Sequence, residues 1–341
     1  MRLEARALSL KPAVGGQSSR PEGPLLKRSD HLFNLMTTAM ISLEQEFKGE
    51  ILYSVPMAEY TSFGVGGPAD YLVFPAGLED LQKTLKWCRR EKVAYFLLGN
   101  GTNLLVKDGG VRGMGISLAR GFREITEMES GPEGGVIFAE AGGPLRRLLD
   151  FAYERSFSGL EWAAGIPGTV GGALFMNAGA FRGEMKDSLQ SLRLMDGEGN
   201  VLEKGRDDLS FSYRSLELKK GWVILGGRFQ LKTGDGKAIR SRMDGFLEKR
   251  LAKQPLDLPS AGSVFKNPAR VAAGKLIEEV GLKGTRIRGA QISEKHANFI
   301  VNRGQAKARD ILTLAEWVKE KIFQEKGVRL EMEIQVIGED E

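Results

Sequence analysis

The chain has 341 residues, 42% of them hydrophobic and 27% charged, which is enough for two or three domains with ordinary cores. Its formal net charge is only +5, and no dense Lys/Arg block is interleaved with aromatic residues, so we expect no nucleic-acid partner. One cysteine and two histidines exclude internal disulfides and argue against a metal site, and they suit a reducing, cytoplasmic setting.

The first forty residues contain Pro, Gly, Ser and Arg with weak periodicity. We predict a disordered extension over 1–40. A targeting peptide is the alternative, but Glu4, Glu22 and the lack of an apolar stretch argue against it.

From about residue 50 the hydrophobic pattern is that of a mixed α and β protein. The predicted elements are, in chain order, a helix around 78–88, a buried strand at 93–99, a strand at 104–106, a helix around 145–152, strands near 192–195, 201–203 and 223–231, helices around 272–280 and 311–322, and a strand at 328–337. The last strand alternates strictly and carries Glu331 and Glu333 on its polar face.

Residues 162–181 are twenty uncharged positions in a row, which is the length of a membrane span. Five glycines, Pro167, Thr169 and Asn177 make the run too polar for one, so we expect no membrane association.

Three apolar loops are dense in glycine: 63–67 (FGVGG), 99–103 (GNGTN) and 164–180 (AGIPGTVGGALFMNAGA). Neither a P-loop nor a complete dinucleotide fingerprint is present in the sequence. Glycine lets the backbone approach a ligand closely, and successive N–H groups bind anions, so these loops suit a large dinucleotide such as FAD. Tight turns in a compact sheet domain are the alternative interpretation.

These loops lie in longer stretches that resemble the UDP-N-acetylenolpyruvoylglucosamine reductase family. The stretches are TSFGVGGPADYLVFP (61–75), LGNGTNLLVKDGGVRGMGISL (98–118), AGIPGTVGGALFMNAGA (164–180), FSYRS (211–215), PSAGSVFKNP (259–268), AGKLIEEVGLKG (273–284), GAQISEKHANFIVN (289–302) and LEMEIQVIG (330–338). They occur in the family's order, and the resemblance covers residues 50–338.

The resemblance implies an α+β fold, with an FAD-binding domain of the vanillyl-alcohol-oxidase (PCMH) type, a small N-terminal subdomain and a C-terminal α/β substrate-binding domain. We expect the N-terminal FAD-binding subdomain at 41–105, joined by the last strand at 327–341. A second FAD-binding subdomain follows at 106–230, and the substrate-binding domain at 231–326.

The resemblance also implies FAD as the cofactor and NADPH as its reductant. The positions that match the family's cofactor-binding residues are Gly64, Gly66, Gly67, Gly99, Asn100, Gly101, Thr102, Asn103, Gly168, Thr169, Gly171 and Gly172. The family usually has serine where this chain has Thr102, and the hydroxyl is kept.

Family members reduce an enolpyruvyl ether of a UDP-sugar in peptidoglycan synthesis. Hydride addition leaves negative charge beside a carboxylate, which requires a cation and a proton donor. Arg214 matches the family's arginine, Ser263 its proton donor and Glu333 its catalytic glutamate; periodicity alone does not choose between Glu331 and Glu333. The non-catalytic alternatives are a surface salt bridge for Arg214 and a turn position for Ser263.

The residues that match substrate-binding positions are Tyr213, Lys253, Asn267 and His296. A hydrogen-bonded structural histidine is the alternative for His296. Residues 215–262 contain no tyrosine, so the chain is similar to the shorter subtype that lacks a tyrosine-bearing loop.

The expected partner is therefore a UDP-sugar, and we expect a monomer. Two alternative functions are an FAD-dependent oxidase of the same fold class and a flavin-binding module without catalysis. The C-terminal stretches argue against the oxidase, and Arg214, Ser263 and Glu333 together argue against the module.

Overall fold

The computed structural model describes Met40, residues 43–45 and residues 47–341. The predicted extension over 1–40 lies outside the described residues, apart from Met40.

Strands and helices alternate irregularly through the described residues. The strands are β1 Glu50–Pro56, β2 Pro68–Phe74, β3 Tyr95–Leu98, β4 Leu104–Val106, β5 Val111–Ser117, β6 Ile125–Gly131, β7 Gly134–Glu140, β8 Phe157–Ser158, β9 Gly179–Ala180, β10 Gly183–Glu184, β11 Leu189–Met195, β12 Val201–Gly205, β13 Ser210–Ser212, β14 Ser215–Glu217, β15 Val223–Thr233, β16 Arg286–Ile287, β17 Ala290–Ile292, β18 Ile300–Asn302 and β19 Gln335–Ile337. The α-helices are α1 Leu78–Arg90, α2 Leu145–Glu154, α3 Val170–Phe175, α4 Gly236–Lys253, α5 Ala273–Glu279 and α6 Ala308–Lys326. Short 3-10 helices lie at Met57–Tyr60, Glu161–Ala163, Met185–Asp187 and Arg206–Asp208.

The first sheet has the strand order β1-β2-β5-β3, antiparallel between β1 and β2 and parallel elsewhere. Helix α1 joins β2 to β3 and buries Leu81, Leu85 and Cys88, as the helical spacing predicts. Burial raises the pKa of the Cys88 thiol to about 12, so it remains a neutral core residue. The sheet includes β5, which lies beyond the boundary that we predicted at residue 105.

The second sheet is antiparallel, in the order β12-β11-β15-β7-β6, with β8 also paired to β15. Its central strand β15 pairs with β11 on one side and β7 on the other, and its residues 223–227 are all buried. Helices α2 and α3 lie in contact with each other, and α3 also contacts β15.

The C-terminal region contains the three-stranded sheet β16-β17-β18 and helices α5 and α6. Its hydrophobic core includes Phe63, Val65 and Leu105, which come from the first glycine loop and from β4. Strand β19 pairs in parallel with β4. The C-terminal region is thus packed directly against the segments that carry the glycine loops.

Two predicted strands differ from the observed ones. The strand predicted as buried over 93–99 is shorter, and Leu97 is 44% exposed because β3 lies at the edge of its sheet. The strand predicted over 328–337 is regular only in β19, because this segment changes partner: Met332 bridges to Phe265, and the residues after it pair with β4.

Among the residues described, no helix has both the length and the apolar character that a membrane span needs.

Candidate active site

The three glycine loops, 63–67, 99–103 and 164–180, meet at one place. The backbone N–H of Ser62 donates to the carbonyl of Gly101 over 3.1 Å. The Thr102 hydroxyl lies 3.4 Å from the carbonyl oxygen of Pro167. These contacts place the predicted cofactor-binding residues of the three loops beside one another.

Glycine is required in these loops for steric reasons. Gly66 has φ +130°, and a Cβ there would lie 2.8 Å from the Cβ of Val106. At Gly99 the backbone is ordinary, but a Cβ would lie 2.9 Å from Oγ1 of Thr169, in the third loop. At both positions the neighbouring segment leaves no room for a side chain in place of glycine.

The second loop also presents unused hydrogen-bond donors. Within the described residues, the backbone N–H groups of Asn100, Gly101 and Thr102 donate to no protein acceptor. Gly101 has φ +61°. Adjacent N–H groups in such a turn form a concave site for anions.

A buried arginine lies beside the third loop. Arg250, on α4, is 9% exposed, and its Nε donates to the carbonyl of Ala164 over 3.2 Å. Its Nη2 is buried and has no partner among the described residues, and burial lowers the pKa of the guanidinium. A buried cation without a carboxylate is costly, and an anionic ligand would offset that cost. The free N–H groups and this orphaned nitrogen both suit an anionic group such as the phosphates of FAD.

Arg214 lies on the two-residue turn between β13 and β14, at φ +58°. Its Nε donates to Oε1 of Glu333 over 3.0 Å, and its Nη2 donates to the carbonyl of Gly179 over 2.8 Å. Nη1 makes no hydrogen bond with any residue that the structure describes. Such strain in a non-glycine residue is typical of functional positions. The guanidinium is oriented by two acceptors and retains one free face for a further anion.

Glu333 is held by backbone contacts on two sides. Its N–H donates to the carbonyl of Val264 over 2.8 Å, and its carbonyl accepts from Nδ2 of Asn103 over 3.1 Å. Burial raises the pKa of its carboxyl above the ordinary value, and Arg214 opposes this rise. Glu331, in contrast, has a side chain that is 77% exposed and lies 3.5 Å from Lys266. The geometry distinguishes the two glutamates that the alternating pattern left equivalent.

Ser263 is half-buried and directly precedes the Val264 carbonyl that Glu333 binds. Its Oγ makes no hydrogen bond inside the described part of the chain. We call Arg214, Ser263 and Glu333 the polar cluster. The structure brings them together from sequence distances of up to 119 residues.

The predicted substrate-binding residues differ in exposure and in contacts. The Tyr213 ring is 46% exposed and lies 4.9 Å from the Arg214 guanidinium carbon. Lys253 is exposed at the end of α4. The Asn267 side chain is exposed too, and its Oδ1 accepts from the N–H of Ala273 at the start of α5 over 3.0 Å. Asn267 therefore has a structural contact of its own.

His296 has a defined tautomer. Its Nδ1 accepts the N–H of Asn298 over 3.2 Å, so the ring proton of the neutral form lies on Nε2. Burial lowers the pKa of His296, and the nearby Lys283 and Lys253 lower it further. The ring is thus a neutral N–H donor at physiological pH.

Two residues at this site, Arg250 and Asn177, were not predicted from the sequence. Asn177 is fully buried at φ +40°, and its Nδ2 donates to the carbonyl of Ser212 over 3.1 Å, directly before the turn that carries Arg214. One signal was available: Asn177 is the single side-chain amide in the uncharged stretch 164–180. Arg250 gave none, because it lies among many other basic residues of α4.

Comparisons with known proteins agree with this architecture. Residues 69–205 match the FAD binding domain family, and residues 254–337 match the family described as UDP-N-acetylenolpyruvoylglucosamine reductase, C-terminal domain. The first match covers most of both sheets, and the second covers the segments that carry Ser263 and Glu333.

Similar relatives cover nearly the whole described chain. The UDP-N-acetylenolpyruvoylglucosamine reductase of Clostridioides difficile is 45% identical over 86% of this chain and 95% of its own length. That of Geobacter metallireducens is 46% identical over 87% of this chain and 97% of its own. The crystal structure of UDP-N-acetylenolpyruvylglucosamine reductase from Thermus caldophilus covers 85% of this chain and 98% of its own, at 37% identity and a TM-score of 0.71.

These matches confirm the predicted fold, an α+β architecture with an FAD-binding domain of the PCMH type, and FAD as the cofactor. The chain belongs to the UDP-N-acetylenolpyruvoylglucosamine reductase family and is a flavin-dependent oxidoreductase.

Proposed function

We propose that this chain reduces the enolpyruvyl ether of UDP-N-acetylglucosamine to UDP-N-acetylmuramate in peptidoglycan synthesis, with NADPH as reductant. The observation that supports this most is the arrangement of the polar cluster. Arg214 keeps a free Nη1 beside Glu333, and the Ser263 segment is joined to Glu333 through Val264. An anion-binding cation next to a hydroxyl is what the addition of hydride and a proton to an enol ether requires.

The three glycine loops and Arg250 would hold FAD. The loops contribute Gly64, Gly66, Gly67, Gly99, Asn100, Gly101, Thr102, Asn103, Gly168, Thr169, Gly171 and Gly172. When bound and reduced by NADPH, the flavin supplies hydride to the methylene carbon of the enolpyruvyl group.

Arg214 binds the enolpyruvyl carboxylate through its free face. Negative charge that develops on the carbon next to this carboxylate is stabilised by the guanidinium, whose forked donors match a carboxylate. Glu333 and the Gly179 carbonyl orient Arg214 before the substrate arrives, which reduces the reorganisation needed in the transition state.

Ser263 donates its Oγ proton to that same carbon, and solvent returns a proton to the serine. A serine hydroxyl is a weak acid, so the developing carbanion must be close and the surrounding charge positive. The UDP-sugar would be bound by Tyr213, Lys253, Asn267 and the Nε2–H of His296, since these residues offer a cation and neutral donors.

Isotope labelling of the transferred proton by solvent, together with the variant Ser263→Ala, tests the proposed reaction and the role of Ser263. Turnover with NADPH in D2O should yield UDP-N-acetylmuramate with deuterium at the carbon that bears the carboxylate. Ser263→Ala should form little product while its flavin is still reduced by NADPH. Full product formation by Ser263→Ala would contradict the role of the serine, and no product from the unaltered chain would contradict the proposed function.

A further inference from the structure

The segment Ser263–Lys266 lies between two neighbours, and one of them is the segment that carries Glu333. The carbonyl of Val264 accepts from the N–H of Glu333 over 2.8 Å, and the N–H of Lys266 donates to the carbonyl of Glu331 over 2.9 Å. On this side the Ser263 segment is held as one strand holds another.

On the other side, among the residues that the structure describes, its hydrogen-bond partner is a single residue, Asn298. The backbone carbonyl of Asn298 accepts from the N–H of Val264 over 2.8 Å. Its side-chain Oδ1 accepts from the N–H of Phe265 over 3.0 Å, and its Nδ2 donates to the carbonyl of Phe265 over 2.8 Å. A side-chain amide is the group that presents a donor and an acceptor together, as a peptide bond does.

This contact is sealed from solvent. Asn298 is 3% exposed and Phe265 is 1% exposed. Without the amide, both backbone groups of Phe265 lose these hydrogen bonds inside the core, where water is a poor substitute. The backbone would therefore move to recover partners, and Ser263 is only two residues away.

Ser263 has nothing else to fix its hydroxyl. Its Oγ makes no hydrogen bond within the described residues, and Gly262 before it is in a left-handed turn at φ +76°. The position of Oγ consequently depends on the backbone that follows it, and a displacement of about 1 Å at a reacting group can cost roughly 100-fold in rate.

We propose that Asn298 is a positioning residue that fixes Ser263 for proton donation by clamping the backbone of Phe265. Asn298 is 3% exposed, so we place it behind the reacting groups, out of contact with substrate and cofactor. The inference rests on the proposed function, because it assigns Asn298 to the step in which Ser263 gives up its proton.

A double-mutant cycle tests it. Asn298→Ala, Ser263→Ala and the double variant are reduced anaerobically with NADPH and then mixed with the enol ether in a stopped-flow instrument. We expect Asn298→Ala to slow flavin reoxidation by the enol ether about 10- to 100-fold, with flavin reduction by NADPH unchanged. In the Ser263→Ala background, the same substitution should change the rate by less than twofold.

A merely structural role gives a different pattern. An equal loss with and without Ser263, or an equal loss in both half-reactions, would overturn the proposal. If the unaltered chain does not turn over the enol ether, the proposed function fails; if it does and the cycle is additive, only this inference fails.

The matched control is Asp310→Ala. Asp310 is 4% exposed in the same C-terminal region, and its Oδ2 accepts from the N–H of Lys307 at the start of α6 over 3.0 Å. Asp310→Ala should lower the stability of the chain about as much as Asn298→Ala does. It should still reoxidise its flavin with the enol ether at the rate of the unaltered chain.

A second variant covers the case in which Asn298→Ala does not fold. Asn298→Asp keeps the acceptor for the Phe265 N–H but loses the donor to the Phe265 carbonyl. We expect an intermediate rate, with faster hydrogen exchange at Val264 and Phe265; a rate equal to that of the unaltered chain would overturn the proposal.

Discussion

The glycine loops and the polar cluster differ in which atoms face a ligand. The loops offer backbone N–H groups and exclude side chains by close packing, as the missing space at Gly99 demonstrates. The polar cluster offers side chains held by backbone contacts, such as Arg214 on the Gly179 carbonyl. Function of the glycine loops should therefore be sensitive to the size of an introduced side chain, and function of the polar cluster to the chemical groups of its side chains. Substitutions in the two regions test this contrast.

Arg214→Ala removes the cation of the polar cluster without adding bulk. We expect kcat to fall about 100- to 1,000-fold, by analogy with the loss of one preorganised donor to a developing negative charge. FAD content, measured by absorbance, should remain unchanged. The control is Arg288→Ala, which removes another arginine at positive φ, 49°, away from the site. Turnover by Arg214→Ala at the rate of that control would contradict the role of the guanidinium.

Gly99→Ala adds one methyl group where the second and third glycine loops meet. The new Cβ would lie 2.9 Å from Thr169 Oγ1, so the loops must separate. Overpacking of this kind costs about 1–3 kcal/mol, and we expect the Kd for FAD to rise roughly 10- to 100-fold. Fluorescence titration of the apoprotein measures it.

Gly245→Ala is the matched control for this change. A Cβ at Gly245 meets nothing within 4 Å, and the residue lies in the interior of α4. The substitution should stabilise the chain by about 0.5–1 kcal/mol without changing FAD affinity. Equal FAD affinities for the two alanine variants would show that loop packing does not determine cofactor binding.

Glu333→Gln tests the electrostatic cost of the polar cluster. Burial raises the pKa of the Glu333 carboxyl above 4.5, so the native state binds its proton more tightly than the unfolded state. Its contribution to stability is present below the unfolded pKa and is lost as pH rises through the folded pKa. The free energy of unfolding of Glu333→Gln, relative to that of the unaltered chain, should therefore increase as pH rises from 4.5. The turnover of this variant should be lower than that of the unaltered chain.

Urea denaturation at pH 5 and pH 8 measures this gain, and Glu331→Gln is the control. The Glu331 side chain is 77% exposed, so its substitution should give the same difference in stability at both pH values. If the relative stability of Glu331→Gln increased between pH 5 and pH 8 as much as that of Glu333→Gln, burial of Glu333 would not be the cause of the pH dependence.

Local patterns predicted much of this molecule. Helix α1 followed from the spacing of Leu81, Leu85 and Cys88, because one face of a helix must meet the core. The glycine loops were recognisable because glycine density in apolar sequence has few other causes. Edge exposure in β3 was not predictable, since the order of strands in a sheet is a long-range property.

The site was predictable in composition more than in geometry. Periodicity placed Glu331 and Glu333 on the same face. The burial of Glu333 and its contact with Arg214, 119 residues away, separate them. The importance of Arg250 and Asn298 depends on burial and on missing or reciprocal hydrogen bonds. Neither property produces a recognisable pattern of residues in the sequence, so the sequence alone does not reveal the importance of Arg250 and Asn298.

An anaerobic visible spectrum of the purified chain tests the proposed reaction directly. We expect flavin absorption that bleaches with NADPH and returns on addition of the enolpyruvyl ether of UDP-N-acetylglucosamine, in the absence of oxygen. A flavin that bleaches but is not reoxidised by the enol ether would contradict the proposed reaction.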